Sequence, residues 1–417
     1  MAHYFFNICR NCFLAVVGFV LVSAVTAVAA EPAVTVNDGP LLPIFAWEGV
    51  PAAEATPERF KELADAGFTI SFSGAPDNAT VTKMLDAAET AGVKLYISSA
   101  ELHSDPEGTA RLFKNHPALG GYHLVDEPSA KSFGDLGAWT RRIQSVDAEH
   151  PVYINLLPTY GNPEGWGTPD YATYVERFLA EVPTQQLSYD HYPIVQGAAD
   201  SPVTLRSDFY ENLEICSAAA REANRPLWTF ALLVAHTPYP IPTLAHLRLQ
   251  AYSDLAYGTD TLQYFTYWTP VSTIWNFHEA PINPEGKRTP TYDLVKAFNA
   301  ELQAVRGVFV GSQVESVGHT GAAIPAGTKP FAAAAPIKSL QTEGTGVVAS
   351  RLAKGDQRFL VLVNRDLHQP TTATVEFDGS TRVSAVAKDG TLQPLEGATH
   401  SVAIEPGDVA IYAWQAE

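Results

Sequence analysis

Between Gly120 and Ser129 the chain reads GGYHLVDEPS, an apolar run that stops at two adjacent carboxylates and a proline. A second run stops in the same way: SYDHYP, Ser188 to Pro193, leaves Asp190, His191 and Tyr192 at its tip. A third, QYFTYWTP from Gln263 to Pro270, ends in Tyr267 and Trp268. Two carboxyl groups meeting at one place are acid/base equipment. One protonates a leaving oxygen while the other attacks or activates water. Aromatic rings beside them suit a sugar, whose C–H faces are apolar and whose hydroxyls take hydrogen bonds. Each feature also has a plain structural explanation. Asp126 and Glu127 can be a helix cap with an acidic first turn, Phe265 a core residue, and His123 an interior histidine.

Glu127 is expected to be the general acid/base, because a desolvated Glu among carboxylates keeps its proton to higher pH. Asp190 is expected to be the nucleophile or the base for water. Adjacent residues on an extended tip face opposite ways, so Glu127 is placed over the site and Asp126 beside it as a support or hydroxyl ligand. His191, Tyr192 and His236 are expected to hold hydroxyls, and Trp47, Tyr267 and Trp268 to stack on rings. Glu48, next to Trp47, is a further substrate-binding candidate and, with Glu279, a reserve carboxylate. Outside the expected signal segment, which carries Cys9 and Cys12, no CxxC pair or HExxH pattern occurs, so neither a metal nor another cofactor is expected.

These tips need a frame that gathers them. Short β-rich runs alternate with helical stretches, the pattern of a parallel sheet with crossover helices. Strands are expected at 42–47, 68–72, 94–98, 121–125, 152–157, 186–189, 227–233 and 262–267. Thr56-Pro57-Glu58 is a helix start with Pro at its first position. Eight strands make a (β/α)8 barrel, in which strand C-termini form the active face. An open doubly wound sheet would want a Gly-rich phosphate turn after the first strand, and none is present.

The expected domains are a secretory signal over 1–30, the barrel over 31–310, a linker and joining segment over 311–345, and a small all-β sandwich over 346–417. The sandwich is read as a structural cap, with a carbohydrate-binding module as the alternative. The first segment has Arg10, an apolar run from Phe13 to Val22 and an AVAA end, which reads as a cleaved signal and implies a secreted or periplasmic protein. An uncleaved anchor is the competing reading. Cys9 and Cys12 would leave with it, and Cys216 alone cannot form an internal disulfide. The net charge of −18 disfavours nucleic acid and anionic membrane as partners.

With its fourth-strand Asp126-Glu127-Pro128 and eighth-strand Trp268, the chain resembles the (β/α)8 glycoside hydrolases of clan A, and among them the secreted β-galactosidase-like bacterial proteins. The resemblance spans about Leu42 to Val305 on short motifs. It implies a general acid/base at Glu127 and a sugar-lining Trp268. The chain departs from the clan at two places. The clan's nucleophilic Glu ends the seventh strand, which here reads LWTFALLVAHTPYP without a carboxylate, and Asp126 stands where Asn is usual. The expected activity is hydrolysis of a neutral poly- or oligosaccharide, with Asp190 supplying the second carboxylate. A non-catalytic carbohydrate-binding barrel of a glycan uptake system is the alternative. A polysaccharide lyase would need a cation at the site, for which Arg206 and Arg248 are the candidates.

Overall fold

Short runs of branched and aromatic residues set the framework. The computed structural model describes residues 35–197 and 201–416, so the expected signal segment with Cys9 and Cys12 lies outside the described residues. Eight strands pair in parallel around a closed barrel: β1 Ile44–Trp47, β2 Ile70–Phe72, β3 Lys94–Ile97, β4 Leu119–Asp126, β5 Val152–Leu156, β6 Leu187–Tyr189, β7 Leu227–Leu232 and β8 Thr259–Phe265. The eight runs expected from sequence are these eight strands. Between them lie helices with side-chain N-caps. Thr56 accepts from the Arg59 N–H with Pro57 following, Asp77 from Thr80, Asp170 from Thr173 and Thr243 from His246. Each cap satisfies an amide that the first helical turn leaves unpaired.

Aromatic rings fill the barrel. Phe45 lies 5.2 Å from Tyr96, 5.6 Å from Tyr153 and 6.2 Å from Trp228, centroid to centroid. Gly121 on β4 makes the room: a Cβ there would come within 2.4 Å of both the Pro151 carbonyl oxygen and the Tyr96 ring. His123 is interior, as expected, with its ring 4.3 Å from Phe72 and 5.1 Å from Trp47. Burial drives its pKa down to about 3, so the ring is neutral.

The C-terminal residues form two antiparallel sheets. One is six-stranded, in the order 313–319, 347–354, 357–364, 409–415, 384–386, 392–394; the other is three-stranded, in the order 337–342, 371–377, 399–404. The expected linker over 311–345 is therefore corrected. It supplies strands Gln313–His319 and Ile337–Thr342, one to each sheet. Their pattern is hard to read because much of each strand is half-exposed.

Period-two alternation gives the larger sheet two buried faces. Leu360, Leu362, Tyr412 and Trp414 join Val375 and Phe377 in the sandwich core. Phe359, Val361, Val363 and Ile411 point the other way and join the barrel's core. Charges lock the same junction. Arg248 bridges Glu301 at 2.5 Å and Asp408 at 2.9 Å, Lys388 reaches Glu301 at 3.1 Å and also contacts Asp408, and the Tyr252 hydroxyl donates to Glu301 at 2.8 Å.

Removing one member of a largely buried charge network strands the others. Arg248→Met is expected to cost about 3 kcal/mol in urea unfolding. Lys61→Ala, which breaks an exposed pair with Asp65, is expected to change nothing measurable. Equal effects would show that the network carries no special stability.

Candidate active site

The C-terminal ends of the strands surround an open pocket of about 360 Å³. Asp126 and Glu127 enter it from the end of β4 and Asp190 from just past β6. Trp47, Tyr192 and His236 also line it. The remaining wall comprises Asn155, Tyr160, Phe230, Tyr239, Phe265, Trp275 and Phe277.

Backbone geometry brings the two adjacent carboxylates together. Glu127 has a φ of +48°, a left-handed conformation that costs a non-glycine residue about 1 kcal/mol or more. That twist breaks the strand's alternation, so Asp126 and Glu127 share one pocket. The expectation that they face opposite ways is corrected on this ground. The twist is pinned from both sides: the Glu127 N–H donates to the Asn155 carbonyl at 2.9 Å, and the Tyr174 hydroxyl donates to the Pro128 carbonyl at 2.6 Å. Glu48 closes β1 in the same way, with φ +43°. It is not on the pocket wall, but it lies near enough to Asp126 for that charge to raise its pKa, after burial as the larger cause.

At β6 the alternation holds and decides which residues reach the pocket. Asp190 and Tyr192 face in, so His191 faces out. Its ring is buried against Tyr160 and Phe209, centroids 4.9 and 5.5 Å away, with Nε2 3.4 Å from Asp208. The expected hydroxyl ligand is therefore a support for the wall. Tyr267 and Trp268 are corrected as well. Strand β8 ends at Phe265, and the chain beyond it runs along the tip of β1, where Tyr267 N–H donates to the Trp47 carbonyl at 3.1 Å and Trp268 N–H to that of Glu48 at 2.8 Å. Tyr267 is buried 5.3 Å from Phe68, and Trp268 packs under the Arg59 guanidinium, 5.3 Å from its ring. Phe265 takes the position expected of them, helped by Trp275 and Phe277 from the loop that follows. Of the candidate cations, Arg248 is held in the domain junction, and Arg206 stacks 4.4 Å over Tyr160 rather than joining the wall.

One buried amide orders the carboxylates. Asn155 Nδ2 donates to Asp190 Oδ1 at 3.0 Å and to Asp126 Oδ1 at 3.2 Å. Its own oxygen accepts from Ser188 Oγ at 2.9 Å, Ser188 accepts from Gln263 Nε2 at 2.9 Å, and Gln263 Oε1 accepts from the Tyr153 hydroxyl at 2.7 Å. The relay fixes the amide's orientation, because Ser188 has one proton to give and Asn155 receives it. Asn155 escaped the sequence reading. Its signal was an amide at position four of an otherwise apolar VYINL strand.

Glu127 and Asp190 line the same pocket and bear on each other's ionisation, so a proton held by one of the two relieves their repulsion. Burial first, then the charge of Asp126, lifts Glu127 from 4.5 to about 7, against the hydrogen bond to Asp190. Burial, then Glu127 and Asp126, also pushes Asp190 up, partly offset by the Asn155 bond. Burial raises Asp126, again offset by Asn155. Asp126 and Glu127 remain reachable by solvent through the mouth, whereas Asp190 is buried. Burial lowers His236 to about 4, so it is neutral. Among the described residues no group of three or more His, Cys, Asp or Glu could hold a metal ion.

No family model and no curated protein matches the chain. Solved structures share its fold. A β-galactosidase from Bacillus circulans sp. alkalophilus aligns at 10% identity over 90% of this chain and 99% of that one, with a TM-score of 0.58. A GH42 β-galactosidase from G. stearothermophilus aligns at 8% identity over 92% and 99%, with a TM-score of 0.54. The likeness is one of fold: a parallel eight-stranded barrel with helices, extended by β-structure.

The crowding has a cost that depends on pH. A raised folded-state pKa gives stability that is full below the unfolded value of 4.5 and is lost as pH rises through about 7. Glu127→Gln removes a charge that the fold tolerates poorly. Its melting temperature is expected to exceed that of the unaltered protein at pH 8, by on the order of a few °C, and the gap is expected to close at pH 5. A gap of the same size at both pH values, or of opposite sign at pH 8, would show that Glu127 is not under such stress.

Proposed function

We propose that the protein is a glycoside hydrolase acting on neutral oligo- or polysaccharides, with Glu127 as general acid/base and Asp190 as nucleophile. The observation that carries the reading is that Glu127 and Asp190, from two different strand ends, line one aromatic-walled pocket at the barrel mouth. The β-galactosidases that share the fold support the class of reaction.

The roles divide by environment. Asn155 gives Asp190 an amide hydrogen bond that favours its charged form. That assigns the proton to Glu127, the member of the pair open to the mouth. Glu127 gives the proton to the glycosidic oxygen as the bond to the anomeric carbon breaks. Asp190 adds to that carbon and forms an ester. Water then attacks, giving its proton to Glu127, and Asp190 leaves as the carboxylate. With Asp190 as nucleophile the two successive displacements retain the anomeric configuration, the outcome of sites whose carboxyls stand ~5–5.5 Å apart rather than the ~6.5–9.5 Å of inverting sites. Asp126, held by Asn155, and neutral His236 serve hydroxyls; Trp47, Tyr192 and Phe265 serve ring faces. The non-catalytic alternative draws on the seventh strand, which lacks a carboxylate.

Turnover of a panel of glycosyl fluorides tests the class, and proton NMR of the first sugar released is expected to show the substrate's own anomer. Glu127→Gln should lower kcat on slower-leaving aryl glycosides by about 10²–10⁴-fold, with binding kept. Glu127 loses its proton as pH rises through about 7, so kcat/KM should fall about tenfold per pH unit above it. Unchanged turnover in Glu127→Gln would remove the acid/base role, and binding without turnover across the panel would favour the non-catalytic barrel. Asn155→Leu withdraws the amide from Asp190 and Asp126, so the acidic limb of the pH profile is expected to move to higher pH. An unmoved limb would show that Asn155 only fills space.

A further inference from the structure

His236 and Tyr239 line the carboxylate pocket on one side and a second pocket, of about 330 Å³, on the other. The two rings that the pockets share pack against each other, their centroids 4.7 Å apart. The partition they form is stiff. Ala235 and His278 exchange backbone hydrogen bonds, both of 2.9 Å, and the Thr237 N–H donates to Asn276 Oδ1 at 2.9 Å. Fixed hydrogen bonds on both arms hold the two cavities apart at a constant spacing.

The second pocket offers what a sugar ring needs. Ile241 presents an apolar side chain that is 52% exposed. His278 is exposed, and its Nδ1 donates to the Asn276 carbonyl at 2.7 Å, which fixes the ring beside the pocket. The Thr237 hydroxyl and the Asn276 amide add further polar groups. An apolar face with a few convergent polar groups is the composition of a small-ligand site. Among the described residues no carboxylate lines this pocket, so they offer binding groups rather than acid/base equipment.

We infer that the second pocket is a ring-binding subsite, and that the substrate is an oligosaccharide whose neighbouring rings straddle the His236–Tyr239 partition. The inference rests on the glycosidase reading and narrows it, from any glycoside to chains of two rings or more.

Calorimetry on the Glu127→Gln protein tests it, with xylo-, cello- and β-1,4-galacto-oligosaccharides of one to four rings as probes. On at least one series, affinity should rise about tenfold from one ring to two. Ile241→Asp combined with His278→Ala, or Ile241→Trp alone, should abolish that increment. Both should leave one-ring affinity unchanged and, in the otherwise unaltered protein, hydrolysis of the matching glycosyl fluoride, whose leaving group is too small to reach the second pocket. Equal affinity for one and two rings on all three series would overturn the subsite, as would an increment that survives both variants. Fluoride hydrolysis without any increment sinks the subsite alone; absence of both binding and hydrolysis sinks the glycosidase reading with it.

Discussion

Asn155 has two amide hydrogens, and each is committed to a different carboxylate. The rest of the site is arranged around that commitment. Unpaired charges in a partly desolvated pocket repel one another and favour their neutral forms. Among the described residues no Lys or Arg forms a salt bridge to Asp126, Glu127 or Asp190. The amide, backed by Ser188 and Gln263 from two other strands and by Tyr153 from its own, is what allows some of the charge to persist. A relay that crosses the barrel from β5 to β6 to β8 and back ties the pocket's carboxylates to the barrel's closure itself.

The backbone contributes a second constraint. Glu127 and Glu48 both occupy left-handed conformations at strand ends, and backbone hydrogen bonds to neighbouring strands hold the chain there, from the Glu127 N–H to Asn155 and from the Gly49 N–H to Phe72. Conformational strain and electrostatic crowding therefore fall on the same few residues. Natural sites concentrate such costs where geometry matters more than stability. The aromatic interior and the buried charges at the domain junction are the stabilising counterweight.

The barrel was legible because its strands are apolar, short and separated by capped helices, and because Pro128, Pro193 and Pro270 mark where three of them stop. The carboxylates were legible for the same reason: Asp126, Glu127 and Asp190 interrupt apolar runs. The side chains' directions were less so. His191 was misassigned because its position in the alternation depends on Asp190 facing inward. Tyr267 and Trp268 were misassigned because strand β8 ends two residues earlier than the hydrophobic run does. Glu127's turn toward Asp126 is a single backbone torsion and leaves no trace in residue types. The strands at 313–319 and 337–342 were hidden because half-exposed edge strands lack a clean alternation.

The six-stranded C-terminal sheet shows no water-facing side to the solvent over much of its area: Phe359, Val361 and Val363 belong to the barrel's core while Leu360 and Leu362 belong to the sandwich. A sheet shared in this way is not a detachable accessory. Trimming the gene at the end of the barrel helices would lay bare a greasy flank, and a free-standing barrel would stick to its own copies. The two halves must therefore be engineered as a unit.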